Sequence, residues 1–379
     1  MRARAGGGWC YDLNSCVGRS HGSLGSTAKD KPTSSLNSGY TSLDPKTNPL
    51  MYNWNSVEIR YCDGASVSGD KETPTNVSGT MLHFRGRAIL DAEIKSLLQD
   101  RGMDKASDVV VSGCSAGGLA TFLHCDHWAA AIANATNGAA KVACMPDSGF
   151  FLDEQRKPGY HANMKNVYTF QESSAAGLNA ACVEAHKATG DTYKCIFAQW
   201  SSAHIKTPTF PLQSQYDSWQ TGNVMGGGDA PTQNAFGANL TALVKSQLLN
   251  QPQHGIFLDS CHHHCGNWDG SEIDGMLSGA ALQAWYTKGS PALDNKGFFN
   301  QNKPFPCDAC CKPDPAPTTV CKKTEYCCPD AKHCLTPTAV SCAKDATVCS
   351  ATQARRGDAA VKQNASGGFS RFRQLLCRY

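Results

Sequence analysis

The sequence predicts an α/β protein whose mostly parallel sheet carries helices on both faces. Three observations lead there. Short apolar runs, Asp108-Val109-Val110-Val111, Lys141-Val142-Ala143-Cys144-Met145 and Gly255-Ile256-Phe257-Leu258, have the length and residue types of buried strands. Helical patterns alternate with them: residues 88–98 bring Ile89, Leu90, Ile94, Leu97 and Leu98 to one face, and residues 116–132 continue as a helix. The 379 residues are 41% hydrophobic and 18% charged, a composition with a real core. Strands alternating with helices imply a largely parallel sheet, whose active sites collect at the carboxyl ends of the strands.

The strand at 108–111 leads into Gly113-Cys114-Ser115-Ala116-Gly117-Gly118 and then into the helix. This is Gly-X-Ser-X-Gly in the strand, turn and helix context that makes a nucleophile elbow. The serine must take a strained backbone conformation there, and the flanking glycines sit too close for a Cβ. The helix N-terminus aims N–H groups and a partial positive charge at an oxyanion formed beside Ser115. The pattern belongs to the α/β-hydrolase architecture, in which serine is followed along the chain by an acid and then a histidine.

Residues 255–258 supply a late strand, and Cys261-His262-His263-His264-Cys265 follows it with three histidines in a row. The acid should follow an earlier strand. Thr209-Phe210-Pro211-Leu212 is a short strand candidate, and Asp217 comes after it; Asp147, in Pro146-Asp147-Ser148-Gly149, is the competing acid. Cysteine and histidine are good zinc ligands, yet consecutive residues do not easily all reach one ion, and the spacing within this cluster lacks the helical i, i+4 pair or the Cys-X2-Cys pair of known sites. No metal and no cofactor are expected.

Residues 306–350 hold nine cysteines (Cys307, Cys310, Cys311, Cys321, Cys327, Cys328, Cys334, Cys342 and Cys349) and few large apolar residues, so this stretch needs cross-links to fold. The expected organisation is an esterase-type domain at 1–305, a disulfide module at 306–350, and a polar tail at 351–379 with a short helix near 372–376. Twenty cysteines in the chain point to an oxidising compartment, hence a secreted protein. Sequons at Asn76, Asn134, Asn239 and Asn364 agree with glycosylation. A formal net charge of +3 gives no basic field for nucleic acid, and no run reaches the roughly 18 to 20 apolar residues of a membrane span. Met1-Arg2-Ala3-Arg4-Ala5 contains no apolar leader core, so this chain shows no signal peptide, and a truncated N-terminus is expected.

These residues resemble the pectin acetylesterase family of plants and its relatives, the animal Notum carboxylesterases. The matching blocks are Gly6-Gly7-Gly8-Trp9-Cys10, Tyr61-Cys62-Asp63-Gly64-Ala65, residues 112–126 (SGCSAGGLATFLHCD), residues 146–153 (PDSGFFLD), residues 216–220, Asn234-Ala235-Phe236 and Ser260-Cys261-X-X-His264-Cys265. The resemblance implies a triad of Ser115, Asp217 and His264, with an oxyanion hole from the N–H groups of Gly7, Gly8 and Ala116. It implies a polysaccharide deacetylase, or a hydrolase of a long acyl ester on a protein. Trp9, Phe150 and Trp219 are expected to close the acyl pocket, with His263 lining it or lying solvated. Gly266 stands where the family has Gln. In the family a strand precedes the glycine block; that strand is expected to be missing here, which leaves a non-catalytic binding protein as a further reading. Tyr326-Cys327-Cys328-Pro329-Asp330 and His333-Cys334 look like granulin-type disulfide repeats, which implies a module that binds a surface or partner.

Overall fold

Seven short strands lie side by side in one wholly parallel sheet. The computed structural model describes residues 2–4, 7–28, 38–154, 158–173, 176–287 and 297–311, together with the backbone of three short strands beyond them. In chain order the strands are β1 (Arg2–Arg4), β2 (Glu58–Arg60), the hairpin β3 (Thr75–Val77) and β4 (Thr80–Leu82), β5 (Asp108–Cys114), β6 (Lys141–Asp147), β7 (Leu212–Ser214), β8 (Ile256–Asp259), the hairpin β9 (Glu272–Ile273) and β10 (Met276–Leu277), and β11 (Phe298–Asn300). The helices are α1 (Leu13–Ser20), α2 (Gly86–Asp100), α3 (Ala116–Thr136), α4 (Pro158–Phe170), α5 (Ala180–Lys187), α6 (Ala198–Ser201), α7 (Ser218–Asn223), α8 (Ala230–Leu243) and α9 (Ser278–Thr287).

The sheet order is β11-β8-β7-β6-β5-β1-β2, with every neighbouring pair parallel. Successive side chains of a strand point to opposite faces, and the core divides accordingly. Val109 and Val111, Cys144, and Ile256 and Leu258 join the core that contains Leu90, Ile94 and Leu97 of α2 and Leu119, Phe122 and Trp128 of α3. Val110, Ala143, Met145 and Phe257 face the other way, onto Ala281, Leu282, Trp285 and Tyr286 of α9. Helices therefore cover both faces, as the alternating patterns predicted.

Two expectations need correction. The strand before the glycine block is present: β1 pairs with β2 (Arg2↔Glu58) and with β5 (Arg2↔Ser112, Ala3↔Gly113), filling the gap between them. Its three residues, Arg-Ala-Arg, carry no apolar signature in the sequence. The strand expected at 209–212 is displaced to Leu212–Ser214. Thr209 makes one bridge to Cys144, but Pro211 has no N–H to continue the ladder, and pairing with β6 resumes at Asp147↔Leu212.

Residues up to Cys311 form one compact unit, and Lys312–Gln374 a second. Cys307, Cys310 and Cys311 belong to the first, where Cys311 is bonded to Cys261 and Cys307 to Cys310. In the second, Tyr326–Cys327 pairs antiparallel with Cys334–Leu335 and with Thr347–Val348. The helix expected near 372–376 and the sequon at Asn364 lie outside the described residues.

Candidate active site

The sheet order reverses at β1. The chain lays β2 on one side of β1 and then returns to place β5 on the other side. In an open parallel sheet such a switch point opens a crevice at the carboxyl ends of the strands. Ser115 stands at that end, between β5 and α3, with φ 58 and ψ −123. A non-glycine residue in this region stores of order 1–3 kcal/mol, so its surroundings must hold it. Its N–H donates to the Asp147 carbonyl at 2.9 Å. A Cβ on Gly113 would fall 2.5 Å from the Gly117 carbonyl oxygen, which is why glycine occupies that position.

Asp217 and His264 lie on the loops after β7 and β8. Asp217, fully buried, caps the N-terminus of α7: its Oδ1 accepts from the Gln220 N–H at 2.9 Å. Its Oδ2 lies 2.8 Å from His264 Nδ1 and accepts more weakly from Gln213 Nε2 at 3.4 Å. Nε2 of His264 lies 2.8 Å from Ser115 Oγ. A carboxylate only accepts, so the imidazole proton sits on Nδ1 and Nε2 is free to accept from the serine hydroxyl. Asp147, the other acid, has a different task. Its buried carboxylate accepts from Ser148 Oγ at 3.0 Å and from the Gly266 N–H at 3.3 Å. Burial pushes its pKa up, and the Gly266 N–H only partly offsets this.

The other two histidines separate. His262 is exposed and touches Thr221 Oγ1 at 3.2 Å. The side chain of His263 is mostly buried, and its Nε2 is bound to both oxygens of Asp259, at 3.1 and 3.0 Å. Burial alone would lower its pKa, but the Asp259 charge outweighs it and carries the value to about 9. His263 also accepts the Ser218 N–H on its carbonyl at 2.9 Å, tying the histidine loop to the first turn of α7.

Gly7 and Gly8 follow β1 with φ of 131 and 58. Their carbonyls are held from behind, by Arg19 Nη1 at 2.7 Å and by Tyr61 Oη at 2.9 Å. Between this loop and α3 sits Ser66, fully buried with φ 55. Its hydroxyl accepts from Trp9 Nε1 at 2.7 Å and donates to the Ala116 carbonyl at 2.7 Å. Its N–H donates to Tyr61 Oη at 3.0 Å, and its carbonyl accepts from His124 Nε2 at 3.1 Å. One serine thus joins the residues flanking the expected oxyanion donors. Nothing in the sequence marks it, because a hydroxyl's role is set by what the fold brings around it.

Trp9, Phe151, Tyr160 and Trp219 pack together beside His264, every pair with ring centroids 5.1 to 6.0 Å apart. Phe151 and Trp219 each stand 6.1 Å from the imidazole. Phe150, expected here, packs on Phe122 behind the site, and its neighbour Phe151 meets His264 instead. Two adjacent phenylalanines look alike in the sequence, and only the fold shows which of them meets the imidazole. Cys261 and Cys265, which bracket the three histidines, are both in disulfides and offer no thiolate to a metal.

The chain is similar to known proteins over most of its length. The family model described as Pectinacetylesterase matches residues 4–312. Pectin acetylesterase 5 of Arabidopsis thaliana is 31% identical over 345 residues, covering 81% of this chain and 75% of the relative. The palmitoleoyl-protein carboxylesterase Notum of Homo sapiens is 25% identical over 304 residues, covering 74% and 58%. The solved Wnt deacylase Notum from Drosophila superposes with a TM-score of 0.69 at 24% identity, covering 82% of this chain and 90% of that one, a likeness of fold. The fold is thus α/β-hydrolase-like, as the elbow motif implied.

Proposed function

This chain belongs to the pectinacetylesterase family and is a carboxylic ester hydrolase, and from that premise we propose that it removes acetyl groups from an extracellular polysaccharide such as pectin. The chain of two 2.8 Å contacts from Ser115 through His264 to Asp217 carries the reading. His264 Nε2 takes the proton as Ser115 Oγ attacks the ester carbonyl, and Asp217 holds the imidazole in the tautomer that can accept it. The N–H groups of Gly7, Gly8 and Ala116 receive the oxyanion, where one such donor is worth about 3 to 4 kcal/mol of transition-state stabilisation. Collapse of the tetrahedral intermediate returns the proton to the sugar oxygen as it leaves. Water, activated by the same imidazole, then frees acetate from Ser115.

The ring cluster favours a short acyl group. Trp9, Phe151 and Tyr160 are almost wholly buried against one another, so they fill the space beside His264 rather than line it. An acetyl group fits against such a wall, whereas a long acyl chain needs a deep apolar pocket and would have to displace the rings. The likeness to Notum keeps a long-acyl ester as the second reading. The non-catalytic reading rested on a missing strand, and β1 occupies that place.

Secretion fits the disulfides and the exposure of the sequon residues Asn76, Asn134 and Asn239. No helix among the described residues is long and apolar enough to cross a membrane. The Cys-rich segment beyond Cys311 would dock the enzyme to a surface or partner. Proton NMR of acetylated pectin treated with the secreted protein tests the substrate class. Free acetate should accumulate; a protein that cleaves octanoyl esters yet releases no acetate from pectin would move the assignment to the long-acyl reading.

A further inference from the structure

We propose that the disulfide Cys114–Cys265 is a positioning device for catalysis, a covalent brace that fixes the nucleophile elbow against the histidine loop. The proposal rests on the reading of Ser115 and His264 as the reacting pair. Cys114 immediately precedes Ser115, Cys265 immediately follows His264, and the bond joins positions 151 residues apart. Each reacting side chain is therefore one residue from the cross-link.

The backbone on both sides of that bond is strained. Ser115 has φ 58 and Cys265 φ 63, a region that side-chain-bearing residues leave when nothing restrains them. Hydrogen bonds share the task from a third side. The Ser115 N–H reaches the Asp147 carbonyl at 2.9 Å, the Cys265 N–H reaches Ser148 Oγ at 2.8 Å, and the Gly266 N–H reaches the Asp147 carboxylate at 3.3 Å. These bonds tie elbow and loop separately to the end of β6. The disulfide joins the two to each other, one residue away from the Ser115 Oγ and His264 Nε2 that stand 2.8 Å apart. A displacement of about 1 Å at such a contact can cost about a hundredfold in rate.

Its surroundings distinguish it from a core staple. Cys125–Cys144 and Cys182–Cys195 are wholly buried, whereas Cys114 and Cys265 are both half-buried at the edge of the site. Among the described pairs it alone has neither cysteine buried.

The test compares two secreted double variants, Cys114→Ser with Cys265→Ser and, as control, Cys182→Ser with Cys195→Ser. For the brace variant, kcat on p-nitrophenyl acetate should fall about a hundredfold with KM within about threefold, and fluorophosphonate labelling of Ser115 should slow in parallel. The control should lose thermal stability but keep kcat within about threefold. A folded brace variant with wild-type kcat, or an equal loss in the control, would overturn the proposal. If the brace variant does not fold, the wild type is titrated with a water-soluble phosphine and alkylated. Activity should fall in step with alkylation of Cys114 and Cys265 and return, in unalkylated samples, on reoxidation by glutathione disulfide; full activity with that pair alkylated contradicts the brace. Ser115→Ala in the same assay separates the two claims. Were it as active as wild type, the site reading itself would fail, whereas an inactive Ser115→Ala beside an active brace variant sinks the brace alone.

Discussion

A carboxylate and its amide differ by one proton and one charge, which lets Asp217 and Asp147 be tested against each other. In Asp217→Asn the amide can no longer accept from both Gln220 and His264 in the present geometry, and it favours the imidazole tautomer with its proton on Nε2. The expected loss in kcat is about 10³- to 10⁴-fold. Asp147 spends its carboxylate on Ser148 Oγ and the Gly266 N–H rather than on His264, so an amide there should leave kcat within about tenfold. Steady-state kinetics of both variants decide the choice, and the reverse ranking would make Asp147 the acid. Ser66→Ala would leave the buried Trp9 Nε1 without its acceptor, costing about 1–3 kcal/mol of stability, and kcat should drop about tenfold or more with little change in KM. A stability loss with unaltered kcat would reduce Ser66 to a packing residue. His263 supplies a pH signature. Its folded-state pKa, about 9, lies above the ordinary 6.5, so its contribution to stability is complete below pH 6.5 and is lost as pH rises through about 9. Between pH 7 and 10 the melting temperature of wild type should therefore fall more steeply than that of His263→Gln; parallel curves would contradict the Asp259 pairing.

Strands and turns differ in how openly they advertise themselves. β5 and β6 were legible because both of their faces are buried, which writes a continuous apolar run into the chain. β1, β2 and β11 have three residues each, too few for an apolar run or an alternation to stand out, and the first two carry charged side chains. The elbow was legible for the opposite reason. Its strain demands glycine at fixed offsets, and steric demands survive in sequence better than hydrogen bonds do. His262, His263 and His264 could not be told apart by residue type, since what separates them is which neighbour each meets: Thr221, Asp259 or Asp217. Glycines offer an element-level test. Gly113→Ala drives a Cβ to 2.5 Å from the Gly117 carbonyl oxygen and should destabilise by at least about 1–3 kcal/mol with loss of activity. Gly159→Ala, in the first turn of α4 with open space around it, should be neutral or stabilising by up to about 1 kcal/mol. Denaturant midpoints of the two variants check the contrast, and equal shifts would remove the steric account of the elbow.

For the molecule as a whole, cross-links bind distant parts of the chain. Cys114–Cys265 and Cys261–Cys311 span 151 and 50 residues and both reach the histidine loop. Loops of those lengths are worth about 5 and about 4 kcal/mol in the chain-entropy picture, comparable to the whole stability of a typical domain. Dithiothreitol should therefore lower the melting temperature by tens of degrees, read by differential scanning fluorimetry; an unchanged transition would show that the sheet and its two cores suffice alone. The same arrangement, a parallel sheet switching direction at β1 beneath a disulfide-bound loop, is what brings Ser115, His264 and Asp217 within reach of one another from positions 149 and 47 residues apart. Hydrolysis of p-nitrophenyl acetate and octanoate by wild type and Ser115→Ala, from a secretory host, tests that claim most directly. The expected result is acetyl-preferring turnover that disappears in Ser115→Ala while its melting temperature stays that of wild type. Turnover that survives in Ser115→Ala would contradict the account.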